Sequence, residues 1–117
     1  MRIVFSSSRT QTPAIMKLSG ELDLSGERIV ENAISAVWWL AGDLILDLSG
    51  LEFCSCGGLT VFLRVARRYR NNGGQLSLAA PRGIVRRLIE VAGIDELMPV
   101  YATVAGAITH DRGDRIG

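Results

Sequence analysis

The sequence predicts an α/β fold: a single domain with a small mixed sheet of four to five strands and about four helices. Three observations carry this. Short apolar runs of strand length alternate with segments whose apolar residues recur at helical spacing, the pattern of a sheet with parallel pairings. One run, Asp43 to Leu48, is apolar almost throughout, as expected of a central strand buried on both faces. Glycine-rich or capping residues punctuate the joints between the two kinds of segment. A chain of 117 residues has room for one sizeable core and not two. Residues 1–110 are expected to form the domain, and the polar segment 111–117 a mobile tail.

The elements follow in order. Arg2 to Ser7 reads as a first strand, then a polar turn with Pro13, then Ala14 to Leu18 as a second strand, the two forming an antiparallel, hairpin-like pair. Gly20-Glu21-Leu22-Asp23 closes this strand. Ser25 is the expected N-cap of a first helix, with Glu27 in its first turn at the favourable dipole end. Ile29, Val30, Ala33, Ile34, Val37 and Trp38 give that helix one apolar face, with Trp39 covering its edge; an aromatic binding surface is the alternative for the two tryptophans.

After the central strand, a helix is expected from Gly57 or Gly58 to about Arg70. Leu59, Phe62, Leu63, Ala66 and Tyr69 lie on one side of it and Arg64, Arg67, Arg68 and Arg70 crowd its second half. Asn71-Asn72-Gly73-Gly74 stops it. Gln75 to Ala80 is the next strand. Pro81 then opens a helix with Ile84, Val85, Leu88, Ile89 and Val91 apolar, ended by Gly93. Pro99 to Ala102 offers a last short strand, and Thr103 caps a final helix through Ile108.

Composition narrows the function. Hydrophobic residues make up 48% and charged residues 21%, which is globular and not disordered. A net charge of +1 gives no electrostatic case for nucleic acid, and the arginine-rich basic set, with Lys17 its one lysine, reads as compositional bias. No stretch reaches the length of a membrane span and no charged start leads into an apolar run, so no membrane partner and a cytoplasmic location are expected. Cys54 and Cys56 are then expected to be free thiols, since neighbours at that spacing on extended backbone point the same way but lie far apart.

Catalytic parts are scarce. His110, the single histidine, sits beside the expected tail, and nothing in the sequence brings it to Cys54 or Cys56. Two thiols and one late histidine make a poor metal set, and Gly57-Gly58 lacks the remainder of any nucleotide-binding fingerprint. The expectation is a binding module with no catalytic residues, no metal and no cofactor.

Its most informative segment is Leu48 to Leu59, where an apolar strand feeds a helix through paired glycines. Such a joint presents unpaired backbone N–H groups and a positive dipole end at one exposed point, where an anion, a phosphorylated side chain or a partner would sit. The segment resembles the switch loop of STAS domains, the fold of bacterial anti-sigma factor antagonists, which usually reads Phe-x-Asp-Ser-Ser/Thr-Gly-Leu. Phe53, Gly58 and Leu59 match without a gap, Gly20 to Asp23 matches a second hallmark at four positions, and Leu44 to Leu48, Gly73-Gly74 and Gly93 fall in order. Between them the chain departs. Ser55 stands in the Asp slot, Cys56 follows it, and Gly57 fills the slot whose hydroxyl the family phosphorylates.

The resemblance implies docking on an anti-sigma factor that is also a serine-protein kinase, thereby freeing a sigma factor. In the family, phosphorylation breaks that complex. Gly57 cannot be phosphorylated, so binding without the ordinary off switch is expected. The implied contact loop is Phe53, Cys54, Ser55, Cys56, Gly57 and Gly58, with Thr60 and Arg64 on the following helix. Ser55 is a possible displaced phosphoacceptor, two residues from the usual slot. The alternative is a sensor or scaffold module that binds a small ligand or another STAS protein within a signalling assembly. A redox variant of it would use Cys54 and Cys56, because a thiol at a helix N-terminus tends toward thiolate. Small residues filling a buried strand end are the structural alternative for both.

Overall fold

A computed structural model describes residues 2–8, 14–36 and 42–116. Five strands form one sheet in the order β1-β2-β3-β4-β5: Arg2–Ser8, Ala14–Leu22, Asp43–Cys54, Gln75–Ala79 and Val100–Tyr101. β1 pairs antiparallel with β2, and the three remaining pairings are parallel. Among the described residues there are five α-helices: α1 Glu27–Ser35, α2 Cys56–Asn71, α3 Gly83–Ala92, α4 Ile94–Leu97 and α5 Val104–Thr109. The expected mixed α/β architecture is the one observed.

β3 lies at the centre, as its continuous apolar run requires. Leu44, Leu46 and Leu48 point into the main core with Leu18, Val30, Ile34, Phe62, Val65, Val85 and Ile89. Ile45 faces the other side of the sheet, where Ala79, Tyr101 and Ala107 form a smaller cluster beneath α5. Burying both faces favours a strand without polar alternation. The buried face of α2 is wider than its expected stripe: Val61 and Val65 join Leu59, Phe62, Ala66 and Tyr69.

Several boundaries differ from the sequence reading. β2 runs on to Leu22 and β3 to Cys54, because the two strands keep pairing through Glu21–Phe53 and Leu22–Cys54. Phe53 and Cys54, expected in the contact loop, are therefore strand. α2 starts at Cys56, not at Gly57 or Gly58, because Ser55 adopts extended backbone and caps it. Ser25 does not cap α1. Asp23 accepts from the Ser25 N–H at 3.2 Å and from its hydroxyl at 2.7 Å, closing a 3-10 turn over Leu24–Gly26, and α1 follows at Glu27. Pro81 lies before α3, which opens at Gly83 after an extended Arg82. Gly93, left-handed at φ 71°, ends α3 and opens the short α4, for which the sequence offered no separate signal.

The segment 111–116, read from its polarity as a mobile tail, is hydrogen-bonded into the domain. The Asp114 carboxylate accepts from the Thr103 N–H and hydroxyl, both at 2.9 Å, and its carbonyl accepts from Ala102 N–H at 2.8 Å. Arg115 bridges Tyr101, and Ile116 is buried, its N–H donating to the Val100 carbonyl. Buried Ile116, the Asp114 carboxylate on Thr103 and backbone hydrogen bonds to Val100, Ala102 and Gly106 hold this polar segment against the short β5. Pro13, Val37, Trp38 and Trp39, which carried the expected first turn and the aromatic end of α1, lie outside the described residues.

Candidate functional site

The ends of β2 and β3 carry the site. Cys54 turns into the core at 1% exposure while Phe53 points outward at 42%; the β2–β3 pairing skips Glu52, so Leu51 and Cys54, three apart, both face inward. The Ser55 N–H donates to the Leu22 carbonyl at 2.8 Å, which fixes the exit of β3 against the end of β2. Ser55 then does what an N-cap does: its Oγ accepts from the Gly58 N–H at 3.0 Å, satisfying one orphan donor of α2. The same hydroxyl donates to Glu27 Oε2 at 2.9 Å.

The two glycines are not equivalent. A Cβ on Gly58 would meet Cys54 Sγ and Leu22 Cδ2 at 2.8 Å, inside closed packing. A Cβ on Gly57 would fall on the carboxylate of Glu27, which occupies the space a side chain there would need. Glu27 comes from the first turn of α1, which packs along α2. The carboxylate thus rests beside the N-terminal turn of a 16-residue helix, where the dipole favours negative charge.

Farther along the same seam the chemistry changes. Arg64 Nη1 contacts Glu31 Oε1 at 2.6 Å, Arg68 Nη2 reaches Glu31 Oε2 at 3.3 Å, and Arg68 Nη1 donates to Ser35 Oγ at 3.1 Å. Glu27, Glu31 and Ser35 recur every four residues, so one stripe of α1 lines α2. Arg64, expected among the contact residues, is engaged with α1. Thr60 is exposed, its hydroxyl donating to the Cys56 carbonyl at 3.1 Å.

The two thiols separate. Burial pushes the Cys54 thiol up to about 12, helped by the negative charge of Glu27 and by Cys56. It stays protonated and donates to the Ser55 carbonyl at 3.4 Å. This is the small residue filling a strand end, not the thiolate that a redox role requires. Cys56 is exposed as the first residue of α2.

The sequence-selected residues therefore do converge, in two layers. Phe53, Cys56, Gly57 and Thr60 reach the surface, while Cys54 and Gly58 support the turn from beneath. Glu27 was the residue missed. Its place in the first turn of α1 was legible, but nothing in the sequence ties it to a glycine thirty positions away. Leu24, 80% exposed in the 3-10 turn that packs near the start of α2, was missed for the same reason.

A depression of about 90 Å³ lined by Ala66, Arg70, Leu76, Leu97 and Met98 sits toward the other end of α2, and a wider, more open one of about 440 Å³ lies against Ser49 to Glu52 of β3 and Arg82. Among the described residues no three His, Cys, Asp or Glu side chains are grouped to hold a metal ion. No helix among them is long and apolar enough to cross a membrane.

Comparison with known proteins identifies the family. The family model for the STAS domain matches residues 6–107. The anti-sigma-F factor antagonist RsfB of Mycobacterium tuberculosis is 29% identical over 106 residues, 88% of this chain and 84% of that protein. Another Mycobacterium tuberculosis relative is 32% identical over 98 residues, 80% of this chain; the match spans 66% of that longer protein. The crystal structure of an anti-sigma factor antagonist from Mycobacterium paratuberculosis superposes with a TM-score of 0.80 at 29% identity, covering 95% of each chain. By sequence match and by fold, the chain belongs to the STAS domain family.

Proposed function

We propose that this protein is an anti-sigma factor antagonist that docks on a kinase-type anti-sigma factor through the start of α2, and that it does so without a phosphorylation switch. The names of its relatives support the antagonist role. One observation carries the lack of a switch: the slot expected to hold the phosphoacceptor is Gly57, and its side-chain space is filled by the Glu27 carboxylate.

Ser55 is a poor substitute acceptor. Its hydroxyl is half-buried and already committed twice, to the Gly58 N–H and to Glu27. A kinase must align a free hydroxyl with ATP, and a phosphate on Ser55 would face a carboxylate within hydrogen-bonding distance. The docking rim is Phe53, Cys56, Gly57 and Thr60, with Phe53 as the aromatic anchor of the kind that dominates interfaces.

The test is titration calorimetry against each purified kinase-type anti-sigma factor of the same organism, together with labelling by ATP. Wild-type protein should bind one of them and take up no phosphate, and Phe53→Ala should bind at least about tenfold more weakly, ~1.4 kcal/mol. Stoichiometric labelling mapped to Ser55 would overturn the switch-free reading. Affinity unchanged by both Phe53→Ala and Cys56→Arg would move the interface elsewhere.

A further inference from the structure

Glu27 differs from the acidic residue one turn below it. Glu31 is matched by Arg64 and Arg68, whereas among the described residues no arginine or lysine pairs with Glu27. What holds its carboxylate is the Ser55 hydroxyl at 2.9 Å, itself bonded to the Gly58 N–H, and the partial positive charge of the α2 N-terminus. The carboxylate occupies the volume of the missing side chain at position 57. The joint is therefore not the neutral glycine surface that the sequence suggests. It carries a charge delivered from another helix.

We propose that Glu27 is the residue that sets partner affinity at this site: an internal carboxylate that occupies the position-57 slot and gives the docking surface a negative charge of its own. The proposal rests on the docking reading above. A partner that closes on Phe53, Cys56 and Thr60 and presents no cation to Glu27 must bury this carboxylate unpaired or displace it. Burial of a charge without a counter-ion is strongly unfavourable, and displacement strips the α2 N-terminus and Ser55 of their acceptor. Either route weakens docking, so neutralising Glu27 strengthens it. The charge also discriminates: a partner surface that presents carboxylates to the start of α2 is repelled, because the anion position there is already taken.

The experiment has one arm with the partner and one without. Glu27→Gln keeps the side-chain shape and an oxygen that can accept from Ser55, while removing the charge. In titration calorimetry against the kinase-type anti-sigma factor that wild type binds, Glu27→Gln and Glu27→Ala should each bind at least about tenfold more tightly. Equal or weaker affinity in both variants, with wild-type binding intact, overturns the proposal and leaves the docking reading standing. Binding by none of the three proteins refutes the docking reading, and the proposal falls with it.

The partner-free arm is a double-mutant cycle in thermal melts. Gly57→Ala should raise the Tm by several degrees more in the Glu27→Ala background than in wild type, since only wild type has a carboxylate where the methyl must go. Additive Tm changes would show that Glu27 does not occupy the slot, and would overturn the proposal whatever the partner does.

Discussion

The seam between α1 and α2 has two ends built from one stripe of α1. At the lower end, Glu31 and Ser35 meet Arg64 and Arg68, and charge is answered by charge. At the upper end, Glu27 meets a serine hydroxyl, a glycine without a side chain and a helix N-terminus. The lower contacts are half-exposed ion pairs, of the kind that contribute little to stability but hold the register of two helices. At the upper contact, no side-chain cation among the described residues meets the carboxylate, which lies beside the surface where a partner would dock. Helical spacing alone therefore does not assign roles. Residues four apart on one face serve a structural purpose where the neighbour supplies cations, and become available for recognition where it supplies only backbone.

The sharpest contrast should appear within the upper end itself. With its thiol pushed up to about 12, Cys54 is ionised at pH 8 in roughly one molecule in ten thousand. Iodoacetamide should therefore modify the exposed Cys56 at least about a hundredfold faster than Cys54, as read by peptide mass spectrometry. Comparable rates would mean that the Cys54 pocket opens readily. The same shift has a stability consequence of defined sign. Folded Cys54 holds its proton to higher pH than the unfolded thiol near 9.0, so its contribution is complete below about pH 9 and is lost as pH rises toward 12. Cys54→Ala should flatten the alkaline fall in stability.

Gly58→Ala comes next. Its methyl meets Cys54 and Leu22 in closed packing, and overpacking of this kind costs about 1–3 kcal/mol, partly offset by up to ~1 kcal/mol of helix propensity. A lower Tm and a lower urea midpoint are expected. Stabilisation would show that the joint relaxes more than its packing suggests. Ser55→Ala should then cost about 1 kcal/mol through the lost cap, with little dependence on salt.

The smallest effect belongs to the lower end. Glu31→Gln should cost less than about 1 kcal/mol, and the loss should shrink further between low and high salt because the pairs are half-exposed. If Glu31→Gln proved costlier than Ser55→Ala, the assignment of a structural lower end and a recognition-ready upper end would be inverted.

Much of this architecture was legible from the chain. The doubly buried Asp43 to Leu48 run, the antiparallel start, the α2 stripe from Leu59 to Tyr69 and the left-handed stop at Gly93 depend on local periodicity and glycine chemistry, which a sequence displays directly. The clustering of Phe53, Ser55, Gly57 and Gly58 needed no tertiary information, because they are neighbours along the chain. Other features depended on contacts between distant segments. Ser55 becomes an N-cap only because pairing with β2 carries β3 as far as Cys54. Residues 111–116 are held only because Val100, Tyr101 and Thr103 lie alongside them. Arg64 points to α1 because Glu31 waits there, and the side-chain space at Gly57 is filled because Glu27 arrives from another helix. Periodicity tells which face of a helix is buried. Which neighbour that helix meets, and in what register, is set by packing across the sheet, and at this site that register decides whether a glycine is empty or charged.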